Sequence, residues 1–286
     1  MQRHRFRAMG TDVELLLDAP ESAESALALA TGEAEFERLE GLLSRFREDS
    51  ELSALNRSGV LYAGPDLAEV TDRALDARER THSRFDPTVH DALVAAGYDR
   101  SFEQIEGRVA TATVPGQCGG SIDIDRATGR IELEPGFRLD LGGIAKGYAV
   151  DRVAQLLALA GPCLVDAGGD IAALGTAWPV GIETHEGVIT VALEDAALAT
   201  SGVDRRRWQT TEGDAHHIID PRTGRPAETD LLRVTVVAND AVEAEVLAKA
   251  LFLAGSEQAV RDAGEMDVAA VLLTLEGETV LTGRLA

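Results

Sequence analysis

From Ser121 onward the chain breaks into short segments of alternating apolar and polar residues, and that rhythm restricts the fold more than any other feature. SIDIDRATGRIELE alternates on both sides of Ala127-Thr128-Gly129 and predicts a hairpin. PCLVDAGGDIAAL, WPVGIET, GVITVALE, AALATSG, RRRWQTT and HHIID follow as short strands separated by Gly, Pro and Asp. RVTVVAN adds another strand and VAAVLLTLEGETVLTG a terminal hairpin. Short strands joined by tight turns imply a substantial antiparallel sheet, because parallel neighbours need long crossovers.

Helical periodicity dominates the first third. Residues 5–18 alternate like one strand, and then Glu21 to Ser44 carries Ala26, Leu29, Ala30, Phe36, Leu39, Leu42 and Leu43 at helical spacing. That helix ends near SRFREDSELSALNRSG. Pro65 begins a second helix running to about Thr81, and Asp86-Pro87 a third through Ala95, with Asp86 as its N-cap. Two later helices are expected, one from about Ile144 to Ala160 and one over AVEAEVLAKALFLAG. No internal repeat, low-complexity tract or separating linker interrupts the pattern. The expectation is an α+β fold: antiparallel sheets with flanking helices, arranged as two interleaved lobes.

A chain of 286 residues, 45% hydrophobic, can bury a full core. Its formal net charge of −22 argues against nucleic acid as a partner, since phosphates would be repelled over most of the surface. An anionic ligand must then be met by a local positive device. Acid excess on this scale also suits a salt-rich medium. MQRHRFRAMGTDVELLLD lacks the apolar run of a signal peptide, and no stretch reaches transmembrane length. Cys118 and Cys163 lie far apart without metal spacing. A cytoplasmic protein with reduced thiols and no membrane anchor is expected.

LDLGGIAKGYAVD (139–151) reads as an extended segment, Phe137 to Leu141, turning through Gly142-Gly143 into a helix. Such a junction aims unpaired N–H groups and the positive helix end at an anion, and phosphate is the usual one. Neither a Walker A loop nor a Gly-x-Gly-x-x-Gly turn is present. Lys146 within it is one of only two lysines among 27 basic residues. Asp140 lies in apolar surroundings, where an unpaired carboxylate would be costly. In HHIIDPRTGRP the adjacent His216 and His217 point to opposite faces of a strand, and a neutral imidazole beside bound phosphate suits a general base. Gly168-Gly169 reads equally as a tight hairpin turn or as a close approach to a ligand. Glu245 and Lys249, at i and i+4, form either a surface ion pair or one wall of a cleft.

Eight segments, in order, resemble the ApbE-type FAD:protein FMN transferases. They are AMGT (8–11), LSRFREDSELSALN (43–56), FDPTVHDALVAAGYD (85–99), LDLGGIAKGYAVD (139–151), VDAGGDIAALG (165–175), ATSG (199–202), HIIDPRTGRP (217–226) and AEVLAKALFLAG (244–255). The resemblance implies a single ApbE-like flavin transferase domain over 1–286, with its site between the two lobes. It also implies a reaction: FAD and Mg²⁺ are taken up, the pyrophosphate is split, FMN is attached by a phosphoester to a Thr or Ser of an acceptor protein, and AMP is released. Met9, Phe46, Ala96, Gly97 and Tyr98 would line the flavin and adenine pockets. Asp140, Lys146 and His216 would contact FAD, and His217 would activate the acceptor hydroxyl.

For the metal, the resemblance implies the Gly143 carbonyl together with an aspartate and, four residues later, a threonine. This chain has Glu245 and Lys249 at those two places. Glutamate keeps a hard oxygen ligand; a protonated lysine cannot ligate Mg²⁺ and repels it. Either Lys249 turns aside to pair with Glu245 or a phosphate, leaving Mg²⁺ fewer ligands, or its ammonium takes the place of the cation and FAD binds without metal. Two other functions share the same residues: an FAD-binding module without efficient transfer, and an FAD pyrophosphatase.

Overall fold

Eight strands form one sheet in the order Gln2–Ala8, Thr11–Leu17, Cys163–Ala167, Asp170–Leu174, Ala196–Gly202, Leu231–Ala238, Ala269–Thr274 and Thr279–Thr282. The computed structural model describes residues 1–285 apart from 106, 108 and 112. The chain divides into two units. A sheet unit comprises Met1–Glu40, Ile144–Ser201 and Asp230–Ala286, and an inserted unit comprises Gly41–Gly143 and Gly202–Thr229. The fold is α+β with antiparallel sheets, as the strand rhythm predicts.

Strand alternation sends the two faces of the large sheet to different partners. Leu164, Ile171, Ala173, Leu198, Val271 and Leu273 pack with Trp178, Val180, Ile182 and Leu193 of the two-stranded ribbon Trp178–Thr184 and Gly187–Leu193. The intervening residues face the helices Ala145–Ala158 and Ala241–Ala254, where the Cys163 thiol donates to the Ala154 carbonyl at 3.3 Å. Leu15, Leu17, Tyr148 and Phe252 are fully enclosed, and each such side chain stabilises the fold by roughly 1.5–3 kcal/mol relative to exposure.

Two helices pack at their N-termini through Gly147. A Cβ there would stand 2.6 Å from the Ala241 carbonyl oxygen, so only glycine permits this approach. The close contact lets each helix satisfy the other's orphan amides. Asp151 accepts from the Ala241 and Val242 N–H groups at 2.8 and 3.1 Å, while Glu245 accepts from Gly147 N–H at 3.0 Å. Asp240 completes the second terminus by capping Glu243 N–H at 2.7 Å.

The inserted unit holds the helices Glu51–Ser58, Pro65–Arg80 and His90–Ala95 with three small sheets. The hairpin Ile122–Asp125 and Arg130–Leu133 is the one read from the sequence, with Ile124 opposite Ile131. Its other core gathers Leu93, Tyr98, Ile105, Trp208, Ala215 and Ile219.

Several elements depart from the sequence reading. Residues 5–18 are not one strand: Met9 (φ 51°) and Gly10 (φ 68°) both adopt the left-handed region and fold the segment into a two-residue hairpin. Asp86 does not cap a helix at Pro87. Its Oδ1 accepts from Thr88 N–H and Oγ–H at 2.8 and 2.7 Å in a local turn, and the helix begins at His90. Phe137 to Leu141 is no strand, because its pairing comes from a side chain: Asn56 accepts from Leu139 N–H at 2.7 Å and donates to Leu139 O at 2.8 Å. The helices Glu51–Ser58, capped by Ser50, and Ser256–Glu265 go unforeseen. Among the described residues no helix is long and apolar enough to cross a membrane.

Candidate functional site

In the sheet unit, four charged side chains meet at the N-terminus of the Ala145–Ala158 helix. Asp170 follows the Gly168-Gly169 hairpin turn, and alternation places it on the helix-bearing face of the sheet with Val165 and Ala172. There its Oδ2 pairs with Lys146 Nζ. Lys146 Nζ also lies 3.4 Å from Glu245 Oε1, and Lys249 Nζ lies 3.7 Å from the same oxygen. Glu245 Oε2 is occupied by the Gly147 amide. Glu245 and Lys249 are therefore no surface pair: they belong to a tetrad of two buried acids and two half-buried lysines.

Burial and charge act in opposite directions on the two acids. Burial pushes Asp170 up to about 6; Lys146 opposes this and Glu245 reinforces it. Burial also raises Glu245, but Lys146, Lys249 and the Gly147 amide outweigh it and hold that carboxyl below its ordinary value. Both shifts describe one coupled pair, with Glu245 as the firmly ionised member.

In the inserted unit, Arg45 organises a second constellation. Its Nε lies 2.5 Å from Asp140 Oδ2, and a terminal nitrogen donates to Tyr98 O at 2.6 Å. The guanidinium carbon sits 4.1 Å from the Phe46 ring centre and 4.8 Å from that of Tyr98. The rings of Phe46 and Tyr98 are 5.5 Å apart, those of Tyr98 and Trp208 5.2 Å, and Trp208 donates to Ala96 O at 2.8 Å. The ladder is buried except at one end, where Phe46 is 40% exposed. Asp140 also accepts from Gly142 N–H at 2.8 Å, which fixes the Gly-Gly turn.

The remaining candidates have distinct settings. Met9 occupies the tip of the first hairpin, its N–H donating to Glu40 at 2.9 Å. Ala96, Gly97 and Tyr98 form the turn closing the His90–Ala95 helix, with Tyr98 a member of the aromatic ladder and Ala96 O accepting from Trp208. His216 ends the strand Gly213–His216, its Nε2 3.0 Å from Ala227 O and its Nδ1 3.3 Å from Ile218 N. These contacts define the Nε2–H tautomer, and burial lowers the affinity of His216 for a second proton. His217 follows at the bend before Ile219–Asp220 and is half-buried. Asp140 and Gly143 belong to the inserted unit, and Lys146 to the sheet unit.

Sequence reasoning missed Arg45, Asp170 and Trp208. The signal for Arg45 was the cost of an unpaired Asp140, which required a cation somewhere. Nothing local marked Trp208, because its role rests on a hydrogen bond to Ala96, far away in sequence.

The donor set around Glu245 does not suit Mg²⁺. Hard divalent cations want several oxygen ligands, and here one oxygen of Glu245 faces two ammonium groups while the other accepts an amide. Two lysines and two acids already sum to zero charge. Among the described residues, no group of three or more His, Cys, Asp or Glu is placed to hold a metal ion.

Comparison with known proteins bears on the same residues. The ApbE family model matches residues 9–272, a stretch that begins at Met9 and extends beyond Lys249. An FAD:protein FMN transferase of Treponema pallidum is 32% identical over 252 residues, covering 77% of this chain and 69% of that protein. One from Escherichia coli K12 is 27% identical over 93% of this chain and 81% of its own length. The flavinyl transferase ApbE of Pseudomonas stutzeri superposes with a TM-score of 0.83 at 25% identity, over 98% of this chain and 94% of that one. An ApbE protein of Thermotoga maritima gives 0.81 at 26% identity, over 98% and 96%. With the family model spanning nearly its whole length, the chain belongs to the ApbE family.

Proposed function

We propose that this chain is an FAD:protein FMN transferase, cleaving FAD and attaching FMN to a serine or threonine of an acceptor protein with release of AMP. The observation that carries the reading is the family match over residues 9–272, together with relatives that bear that name. Each unit carries a feature suited to one part of such a substrate. In the inserted unit, Phe46 offers an exposed ring on a rigid base of Arg45 and Tyr98, suited to stacking a flat heterocycle. In the sheet unit, Lys146 and Lys249 supply two ammonium donors suited to a diphosphate in a chain of net charge −22.

The transfer is a phosphoryl substitution. The acceptor Oγ attacks the phosphorus of the FMN half, forming a P–O bond as the bond to the bridging oxygen breaks. AMP departs with that oxygen and its electron pair. The hydroxyl proton passes to His217, the histidine that the resemblance assigns to activating the acceptor hydroxyl, while His216 is engaged by backbone groups. A cytoplasmic setting, with the acceptor exposed to the cytosol, is part of the proposal and agrees with the two free cysteines.

The test is incubation with FAD and an acceptor peptide carrying one threonine, with AMP followed by chromatography and flavin fluorescence followed on the peptide. His217→Ala is expected to lower the transfer rate by about 10²–10⁴-fold. AMP released without peptide labelling would make the protein a pyrophosphatase instead. No AMP in any condition would leave an FAD-binding module.

A further inference from the structure

Lysine occurs twice in this chain, among 27 basic residues, and both lysines end on the same oxygen of Glu245. Everywhere else the chain uses arginine. The two differ physically: a guanidinium is a planar fork, whereas an ammonium is a compact point charge. A site that keeps lysine twice in an arginine-rich protein calls for a small, nearly spherical cation.

The layering of the tetrad says which way that charge is presented. The side chains of Asp170 and Glu245 are 2% and 3% exposed, and those of Lys146 and Lys249 are 16% and 18%. The lysine side chains are thus the exposed layer of the cluster, with the acids beneath them. A divalent cation that reached Glu245 Oε1 would sit beside two ammonium groups already placed there. The acids hold the lysines in place and offset their charge in the absence of ligand, so the pair can be buried without a counterion from solution.

We infer that Lys146 and Lys249 together take the place of a divalent cation in this protein, holding the diphosphate of FAD and donating hydrogen bonds to the phosphate of the departing AMP, so that binding and transfer proceed without Mg²⁺. The inference rests on the reading of the chain as an FMN transferase. The chemistry balances as above: the bridging P–O bond breaks, its electron pair leaves with AMP, the acceptor proton goes to His217, and neither lysine gives up a proton.

FAD binding separates this from the transfer reading. The full chain, stripped with EDTA, is titrated with FAD by flavin fluorescence, with and without millimolar Mg²⁺, and the free Mn²⁺ signal is followed by electron paramagnetic resonance as protein is added to FAD. The expected result is one FAD affinity, within about twofold, in EDTA and in Mg²⁺, with no protein-dependent loss of Mn²⁺ signal. Lys249→Gln should weaken FAD by about tenfold or more in EDTA, and Lys249→Arg should recover part of the loss by keeping the charge. Thermal melting of each variant establishes that it is folded, and Lys146 remains to pair the acids. FAD affinity that falls about tenfold in EDTA and returns with Mg²⁺ overturns the inference while leaving transfer intact, as does stoichiometric Mn²⁺ uptake. Metal-independent FAD binding with AMP released only when Mg²⁺ is added overturns metal-free transfer, and no AMP with or without Mg²⁺ removes the transfer reading and the inference that rests on it.

Discussion

Arg45 Nε stands 2.5 Å from Asp140 Oδ2, with side chains only 5% and 9% exposed. The pair is also tied to Tyr98 O and Gly142 N, so it joins three separate segments of the inserted unit. Removing one partner of a buried ion pair leaves an uncompensated charge, which costs far more than the pair contributes. Arg45→Met is predicted to destabilise the protein by about 3–5 kcal/mol, whereas Arg45→Met with Asp140→Asn should recover much of that loss. Chemical denaturation of the single and double variants measures both, and equal losses would refute the pairing.

Asn56 acts as a substitute strand for Leu139, exchanging two hydrogen bonds with its backbone. Asn56→Leu would orphan a donor and an acceptor together, at about 1–3 kcal/mol for each buried group. Asn56→Asp keeps the acceptor and loses the donor, so a smaller loss is expected. Hydrogen exchange at the Leu139 amide reports directly: unchanged protection in Asn56→Leu would contradict the assignment.

Gly147→Ala would drive a methyl group to 2.6 Å from the Ala241 carbonyl oxygen. The two helix N-termini must then separate, and overpacking of this kind costs about 1–3 kcal/mol. Because Glu245 reaches Gly147 N–H across the same contact, FAD affinity should fall with the melting temperature. A variant as stable as the parent would show that the helices have room to spare.

Burial lowers the pKa of both His90 and His216 below the ordinary 6.5. A base depressed in the folded state takes up protons more readily when unfolded, so stability falls as pH drops below about 6.5 and levels off beneath the folded values. The two histidines therefore pull denaturation midpoints down from pH 7.5 to 5.5, against Asp170, which is raised to about 6 and acts in the opposite sense over that window. The double variant His90→Gln and His216→Gln should weaken that pull. A larger fall in the variant would reverse the sign of the argument.

Features set by neighbouring residues were legible in the sequence. The hairpin around Ala127-Thr128-Gly129 and the helix opened by Asp240 follow from alternation and capping within a few positions. Where a distant group decides, local pattern misleads. Phe137 to Leu141 reads as an extended segment from its composition, but it joins no sheet and Leu139 bonds to a side chain 83 positions away. The turn at Met9-Gly10 hides inside an alternating run because methionine carries no turn signal. The same distinction divides the candidate site. Lys146 stood out through the Gly-Gly turn beside it, while the partnership of Asp170 with Lys146, and of Arg45 with Asp140, exists only after folding.

The interleaving of the two units also fixes a timetable for synthesis. The first hairpin, Gln2–Leu17, gains its neighbour only when Cys163–Ala167 has been made, on the order of ten seconds later at ribosomal speed. The inserted unit has all its residues by Thr229, but the large sheet waits for Thr279–Thr282 near the carboxyl end. A premature stop between Thr229 and Thr279 would thus release a chain with one finished half and a large sheet lacking one or more strands, the kind of exposed surface that chaperones and proteases recognise.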